Sequence, residues 1–251
     1  GKTGLENIYD KELRGFFGKR IYEVDANGRF LEEKETINSI DGKDIYTSLD
    51  LTAQQVAYNE LNNRRGAVVA VNLENGAILS YVSSPSFSVN DITNGLSQKE
   101  FNKLLNDNDK PFFDRAGQGR YSPASTIKPA IGLFGLEKDL IDWQYTIDDI
   151  GFFVLPEDGR IYRGWRKDGH GIINLQDAII ESSNTFFFSL AYQTEVNELI
   201  EYLSNFGFGK NICLDCFYPD IGLLPSPTWK MNTHNFGWFK GDTVNLGVGQ
   251  G

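Results

Sequence analysis

Ser125 and Lys128 stand three residues apart in Arg120-Tyr121-Ser122-Pro123-Ala124-Ser125-Thr126-Ile127-Lys128-Pro129. A hydroxyl and an amine at that spacing could serve as nucleophile and base. If Pro123 opens a helix, as proline can at a first helical position, the two side chains share one face of its first turn. An uncharged lysine amine would take the serine proton, and the helix N-terminus would favour the negative charge developing on the oxygen. Among 15 serines and 14 lysines, roughly one Ser-x-x-Lys is expected by accident, so the pattern draws its meaning from its surroundings.

Such a pair needs a rigid platform. Ile127, Ile131 and Phe134 recur at helical spacing, so the segment can bury one stripe and hold the pair. Downstream, Asn174 can cap a helix carrying Leu175, Ala178 and Ile179, and Val196, Leu199, Ile200 and Leu203 form another stripe that Gly207 or Gly209 would stop. Between those helices lies Ser182-Ser183-Asn184, a Ser-x-Asn motif with a hydroxyl and an amide to offer. A similar string, Ser88-Val89-Asn90, precedes Ser125 and reads as a loop.

Nearer the start, Thr52 and Gln55 form a capping-box pattern for a helix with Val56, Ala57 and Leu61 on its stripe. Residues 66–71 and 77–82 are β-rich and flank Asn75-Gly76, which predicts a hairpin. Residues 88–119 read as a polar surface excursion with a short helix near 98–105. Residues 147–166 read as short strands or an extended insertion, and 222–229 as a loop. The first 45 residues are polar and do not look like a core, so the chain divides into 1–45 and 46–251.

Length and composition bound the class. The 251 residues suit one large domain, or one with a smaller piece, and 40% hydrophobic content allows a substantial core. A net charge of −10 argues against nucleic acid as a partner. No run approaches the ~18 apolar residues of a membrane span, and Gly1-Lys2-Thr3 does not begin a signal peptide. Cys213 and Cys216 lack both a second pair for zinc and the strand–helix context of a redox motif. They read as a loop pair, disulfide-bonded if the compartment is oxidising.

With its flanking Tyr, Pro and Lys-Pro, the Ser125 string closely resembles the active-site serine motif of penicillin-recognising enzymes, and Ser182-Ser183-Asn184 resembles their second motif. The segments Gly1 to Gly15 and Glu23 to Arg29 resemble the membrane-proximal linker of class B penicillin-binding proteins. The hairpin with its Ser83-Ser84-Pro85 exit resembles the first two strands of the transpeptidase domain. Gly241-Asp242-Thr243 and Gly249-Gln250-Gly251 resemble the segment before the third motif, Lys-Thr-Gly. Tyr162-Arg163-Gly164-Trp165 with Gly169-His170-Gly171 is most similar to the elongation-type group, penicillin-binding protein 2.

The resemblance implies an α+β fold, an antiparallel sheet flanked by helices, and peptidoglycan D,D-transpeptidase activity through a serine acyl-enzyme. Ser125 would be the nucleophile and Lys128 its base, Ser182 would relay a proton to the departing amine, and Asn184 would bind the substrate backbone. Stem peptides and β-lactams would be ligands and an elongation glycosyltransferase a partner, with no cofactor. The location would be periplasmic, with an inner-membrane anchor upstream. Weaker alternatives are a β-lactam sensor, a serine β-lactamase and a catalytically silent scaffold.

Two departures qualify this. No Lys-Thr-Gly follows Ser182; Lys2-Thr3-Gly4 precedes both other motifs and leads into a helix start, so it reads as non-catalytic. The chain is therefore expected to be part of a longer protein, to hold only two of the sheet's five strands and to be inactive alone. Some members of the group also hold zinc through an Asp at the position of Gly164, a Cys at that of Ser183, a His and an upstream Asp. Here His170 remains, with Asp148 and Asp149 upstream, but two of four ligands are missing. No metal is expected, and His170 is read as a structural hydrogen-bonder.

Overall fold

The structure, a computed structural model, describes residues 3–213, 215–216 and 220–250. The chain forms two compact units, residues 1–119 with 213–220, and residues 120–212 with 221–251. Helices and antiparallel strand pairs alternate in both, giving the expected α+β class.

In the first unit, two short helices, α1 (Gly4–Ile8) and α2 (Asp10–Arg14), precede a ribbon of β1 (Lys19–Val24) and β2 (Phe30–Ile37). Asp25 makes the turn, its carboxylate accepting from the amides of Asn27 and Arg29. No residue of the ribbon is buried, in keeping with the polar reading of this stretch. The helix at α1 matches the expected start after Lys2-Thr3-Gly4; Lys2 itself lies outside the described residues, as does Gly251.

Helix α3 (Leu51–Leu61) is capped by Asp50, whose side chain accepts from the Ala53 amide at 2.8 Å. This corrects the Thr52–Gln55 capping box: Asp50 has the extended backbone an N-cap requires, whereas Thr52 is already helical. The buried stripe shifts with it, so Val56 is exposed and Ala57 buried. The expected hairpin is β3 (Gly66–Val71) with β4 (Ile78–Ser84), in register Val68↔Val82. Gln54 binds both backbone groups of Tyr81 at 2.8 Å, fastening α3 to β4. Ser88 caps α4 (Val89–Asn94), so Ser88-Val89-Asn90 opens a helix rather than a loop; α5 (Gln98–Leu105) follows as expected. Cys213 and Cys216 are joined by a disulfide.

The second unit holds the core. A 3-10 turn at Ala124–Ile127 runs into α6 (Lys128–Glu137), and Ile127, Ile131 and Phe134 bury the expected stripe. Strand β5 (Thr146–Asp149) pairs with β8 (Gly171–Asn174), and β6 (Phe152–Val154) with β7 (Ile161–Arg163). Asn174 caps α7 (Leu175–Ile180) through a capping box; Leu175 and Ala178 are buried, while Ile179 is exposed. Helix α8 (Asn184–Tyr192) buries Phe186, Phe187, Phe188, Leu190 and Ala191, hydrophobic nearly all round, as a central helix must be. It packs against α6, α7 and the helix formed by Lys240–Leu246. Helix α9 (Val196–Asn205) contributes Leu199 and Leu203. Ser226 then caps α10 (Pro227–His234), which places Trp229 on a helix instead of the expected loop. The chain closes with α11 (Lys240–Leu246).

Candidate active site

The nucleophile turn is tighter than an α-helix. Pro123 (φ −65°) sits before it, and the Lys128 amide donates to the Ser125 carbonyl across one 3-10 turn. Side chains three apart are eclipsed in that geometry, so Ser125 and Lys128 rise from one edge. Ser125 is exposed, whereas Lys128 is 2% exposed. Ala124 adopts φ +48°, a left-handed backbone that costs an alanine about 1–2 kcal/mol. The Gly249 carbonyl holds it there, accepting from the Ala124 amide at 3.1 Å and from the Ser122 hydroxyl. Gly249 has φ +68°, and a Cβ on it would lie 2.5 Å from the Ala124 oxygen, so only glycine permits this approach.

Lys128 reaches from that turn to the Ser-x-Asn motif. Its Nζ donates to the Ser182 carbonyl at 2.8 Å, the Ser182 hydroxyl at 3.2 Å and Asn184 Oδ1 at 2.7 Å, and lies 5.4 Å from the Phe187 ring centroid. Burial lowers its pKa to about 8. Three acceptors match the three protons of an ammonium; the amine keeps two and gains a lone pair that can receive a hydroxyl proton. The structure thus brings Lys128, Ser182 and Asn184 together, with Ser125 on the same turn as the lysine. Among the described residues no direct hydrogen bond joins Ser125 and Lys128, because the lysine is engaged with Ser182 and Asn184.

Behind the motif lies a polar cluster that sequence reasoning assigned only in part. Ser183, fully buried, caps α8 by accepting from the Phe186 amide at 3.2 Å and donates to Asp149 Oδ2 at 2.7 Å. His170 Nδ1 lies 2.7 Å from the same oxygen, and its backbone amide donates to the Asp149 carbonyl at 2.9 Å. Burial pushes the Asp149 carboxyl up, but bonds from Ser183, His170 and the Gly151 amide outweigh it and hold its pKa below the ordinary value. A carboxylate only accepts, so His170 Nδ1 is the donor. Gly169 has φ +69°, and a Cβ there would meet the Asp149 backbone carbonyl oxygen at 1.8 Å. Trp165 donates through Nε1 to the Glu181 carbonyl at 3.1 Å and packs edge-on to His170.

The zinc set carried by some penicillin-binding protein 2 members does not fit here. Gly164 offers no ligand, and Ser183 presents a hydroxyl, which is not among the thiolate, imidazole and carboxylate groups that zinc favours, with its proton given to Asp149. Among the described residues no three His, Cys, Asp or Glu side chains converge on one point. Strand alternation separates the two upstream aspartates: Asp149 is buried at the cluster and Asp148 is exposed. That alternation was a signal available in the sequence.

The family model described as "Penicillin binding protein transpeptidase domain" matches residues 66–250. The chain belongs to that family. A second model, "Penicillin-binding Protein dimerisation domain", matches residues 1–47. The peptidoglycan D,D-transpeptidase MrdA of Acinetobacter baumannii is 41% identical over all 251 residues, which span 37% of that protein. MrdA of Escherichia coli is 37% identical, again over the whole chain and 40% of its own length. Among solved structures, the Helicobacter pylori PBP2 in complex with MreC superposes with TM-score 0.90 at 33% identity, covering this entire chain and 47% of that one. The Pseudomonas aeruginosa PBP2 in complex with WCK 5153 gives 0.86 at 36% identity over 52% of its chain. The chain therefore spans about two fifths of the curated relatives it matches. The penicillin-binding transpeptidase fold expected from the motifs is the fold observed.

Proposed function

We propose that this chain carries the nucleophile, base and Ser-x-Asn part of a peptidoglycan D,D-transpeptidase, with residues 1–45 as linker or pedestal and 46–251 as transpeptidase. The observation that carries the reading is the buried amine of Lys128, fixed between Ser182 and Asn184 and rising beside the exposed Ser125.

Ser125 Oγ attacks the carbonyl between the two terminal D-alanines of a stem peptide, and its proton passes to Lys128 Nζ. The C–N bond breaks, the departing amine takes a proton from Lys128 through the Ser182 hydroxyl, and D-alanine leaves an ester on Ser125. The amine of a second stem peptide attacks that ester, returns a proton to Ser125 Oγ through Lys128, and forms the cross-link. The Ser125 amide supplies one oxyanion donor, and Asn184 holds the substrate backbone. A β-lactam enters the same first step because its strained amide mimics D-alanyl-D-alanine. By family resemblance the site works in the periplasm of an inner-membrane-anchored protein beside an elongation glycosyltransferase. Among the described residues no helix is long and apolar enough to cross a membrane.

The test supplies the full-length protein that carries these residues with a D-alanyl-D-alanine-ended stem peptide and a second peptide bearing the acceptor amine. Mass spectrometry should find one D-alanine released per cross-linked dimer, and neither from Ser125→Ala. Release of D-alanine by Ser125→Ala at the parental rate would overturn the reading.

A further inference from the structure

The cluster behind the motif is buried, polar and unused by the chemistry above. Ser183 lies between Ser182 and Asn184, the two residues that hold Lys128 Nζ, so whatever fixes Ser183 fixes both. Ser182 itself has φ +52°, a conformation that a non-glycine residue keeps only when its surroundings enforce it. The enforcement runs through one oxygen. Asp149 Oδ2 accepts from Ser183 and from His170, each at 2.7 Å, while the other carboxylate oxygen accepts from the Gly151 amide at 2.8 Å. The His170 side chain is 5% exposed, and the residue is pinned in turn by its own amide on the Asp149 carbonyl and by the Trp165 ring. Its Nε2 is buried without a hydrogen-bond partner, 3.9 Å from the Glu181 carboxylate.

We infer that Asp149, His170 and Ser183 form a metal-independent hydrogen-bonded brace that sets the Ser182–Asn184 turn and thereby aims the Lys128 amine at the serine. The three are positioning residues; none meets substrate. The brace stands where the resemblance would imply a zinc ion, and it holds the turn by hydrogen bonds in place of coordination bonds. It rests on the transpeptidase reading for its consequence in rate but not for its existence.

His170 separates the two devices. An asparagine there keeps an N–H at the Nδ1 position, which suffices for a bond to Asp149, but it does not replace imidazole as a zinc ligand. In the full-length protein, the acylation rate constant with a fluorescent penicillin should fall at least about tenfold in His170→Ala, since small misplacements of reacting groups cost up to ~100-fold. It should stay within about threefold of the parent in His170→Asn, with the penicillin dissociation constant little changed in either. A chelator should leave the parental rate unaltered, and elemental analysis should find well under one zinc per chain. Equal slowing in both variants, parental speed in His170→Ala, or chelator-sensitive acylation with one bound zinc would overturn the brace. Proton NMR reads the brace without chemistry: a low-field His170 Nδ1–H resonance should be present in the parent and lost in Asp149→Asn. A parent that shows the resonance yet is never acylated would defeat the transpeptidase reading alone, and absence of the resonance would defeat the brace.

Discussion

Titrating Lys128 perturbs the proposed base directly. Its Nζ lies among Ser182, Asn184 and the Phe187 ring, and burial brings its pKa to about 8. Only the amine form accepts the Ser125 proton, so acylation should follow the deprotonated fraction. For a pKa of about 8 that fraction is about one part in eleven at pH 7, one half at pH 8 and ten parts in eleven at pH 9. The rate should therefore rise about fivefold from pH 7 to 8, less than twofold from 8 to 9, and then level. A lysine with the ordinary value of about 10.4 would give a rate still climbing about tenfold per unit at pH 9. The assay is the second-order rate of acylation by a penicillin in the full-length protein across about pH 6–10. A log-rate plot with unit slope and no bend below about pH 9.5 would show that Lys128 is not the titrating base. Stability supplies a second reading of the same group. The unfolded chain binds more protons between about pH 8 and 10.4, so the unfolding free energy gains from Lys128 as pH rises through that window, and the gain is lost as pH falls through 8.

Three further outcomes follow from the packing. Gly249→Ala drives a Cβ into the Ala124 carbonyl at a left-handed position, so acylation should slow by roughly 10- to 100-fold; an unchanged rate constant would show that the nucleophile turn does not depend on this contact. Phe187→Ala opens a hole under the lysine in a fully buried site and should cost about 3–5 kcal/mol in denaturant unfolding, against less than about 1 if the core reading is wrong. Ser226→Ala removes the cap of α10 and should cost about 1 kcal/mol, read as a shift in the denaturant midpoint with an unaltered slope.

What could be read from the residues alone was whatever lies close along the chain. The Ile127–Phe134 stripe, the Asn75-Gly76 hairpin, the Asn174 cap and the Leu199–Leu203 stripe are each set within a few residues, and each stands in the structure. Local signals in competition were misjudged: Asp50 outranks Thr52 as a cap, and Ser226-Pro227 is a helix start that looked like a loop. The rest of the site is long-range. Lys128 meets partners 54 and 56 positions away, and Gly249 closes on Ser122 from 127 positions away. No periodicity encodes those meetings. They follow from how α6, α8 and α11 pack, and the position of the Gly247–Gly249 segment becomes legible only after the fold is known.

Ser125 is the residue proposed to form the acyl bond. Intact-protein mass spectrometry of the full-length protein and its Ser125→Ala variant after incubation with a penicillin examines that bond itself. The parent should carry a single adduct of the intact drug mass and the variant none. An adduct of equal yield on a folded Ser125→Ala protein, or none on the folded parent, would contradict that assignment.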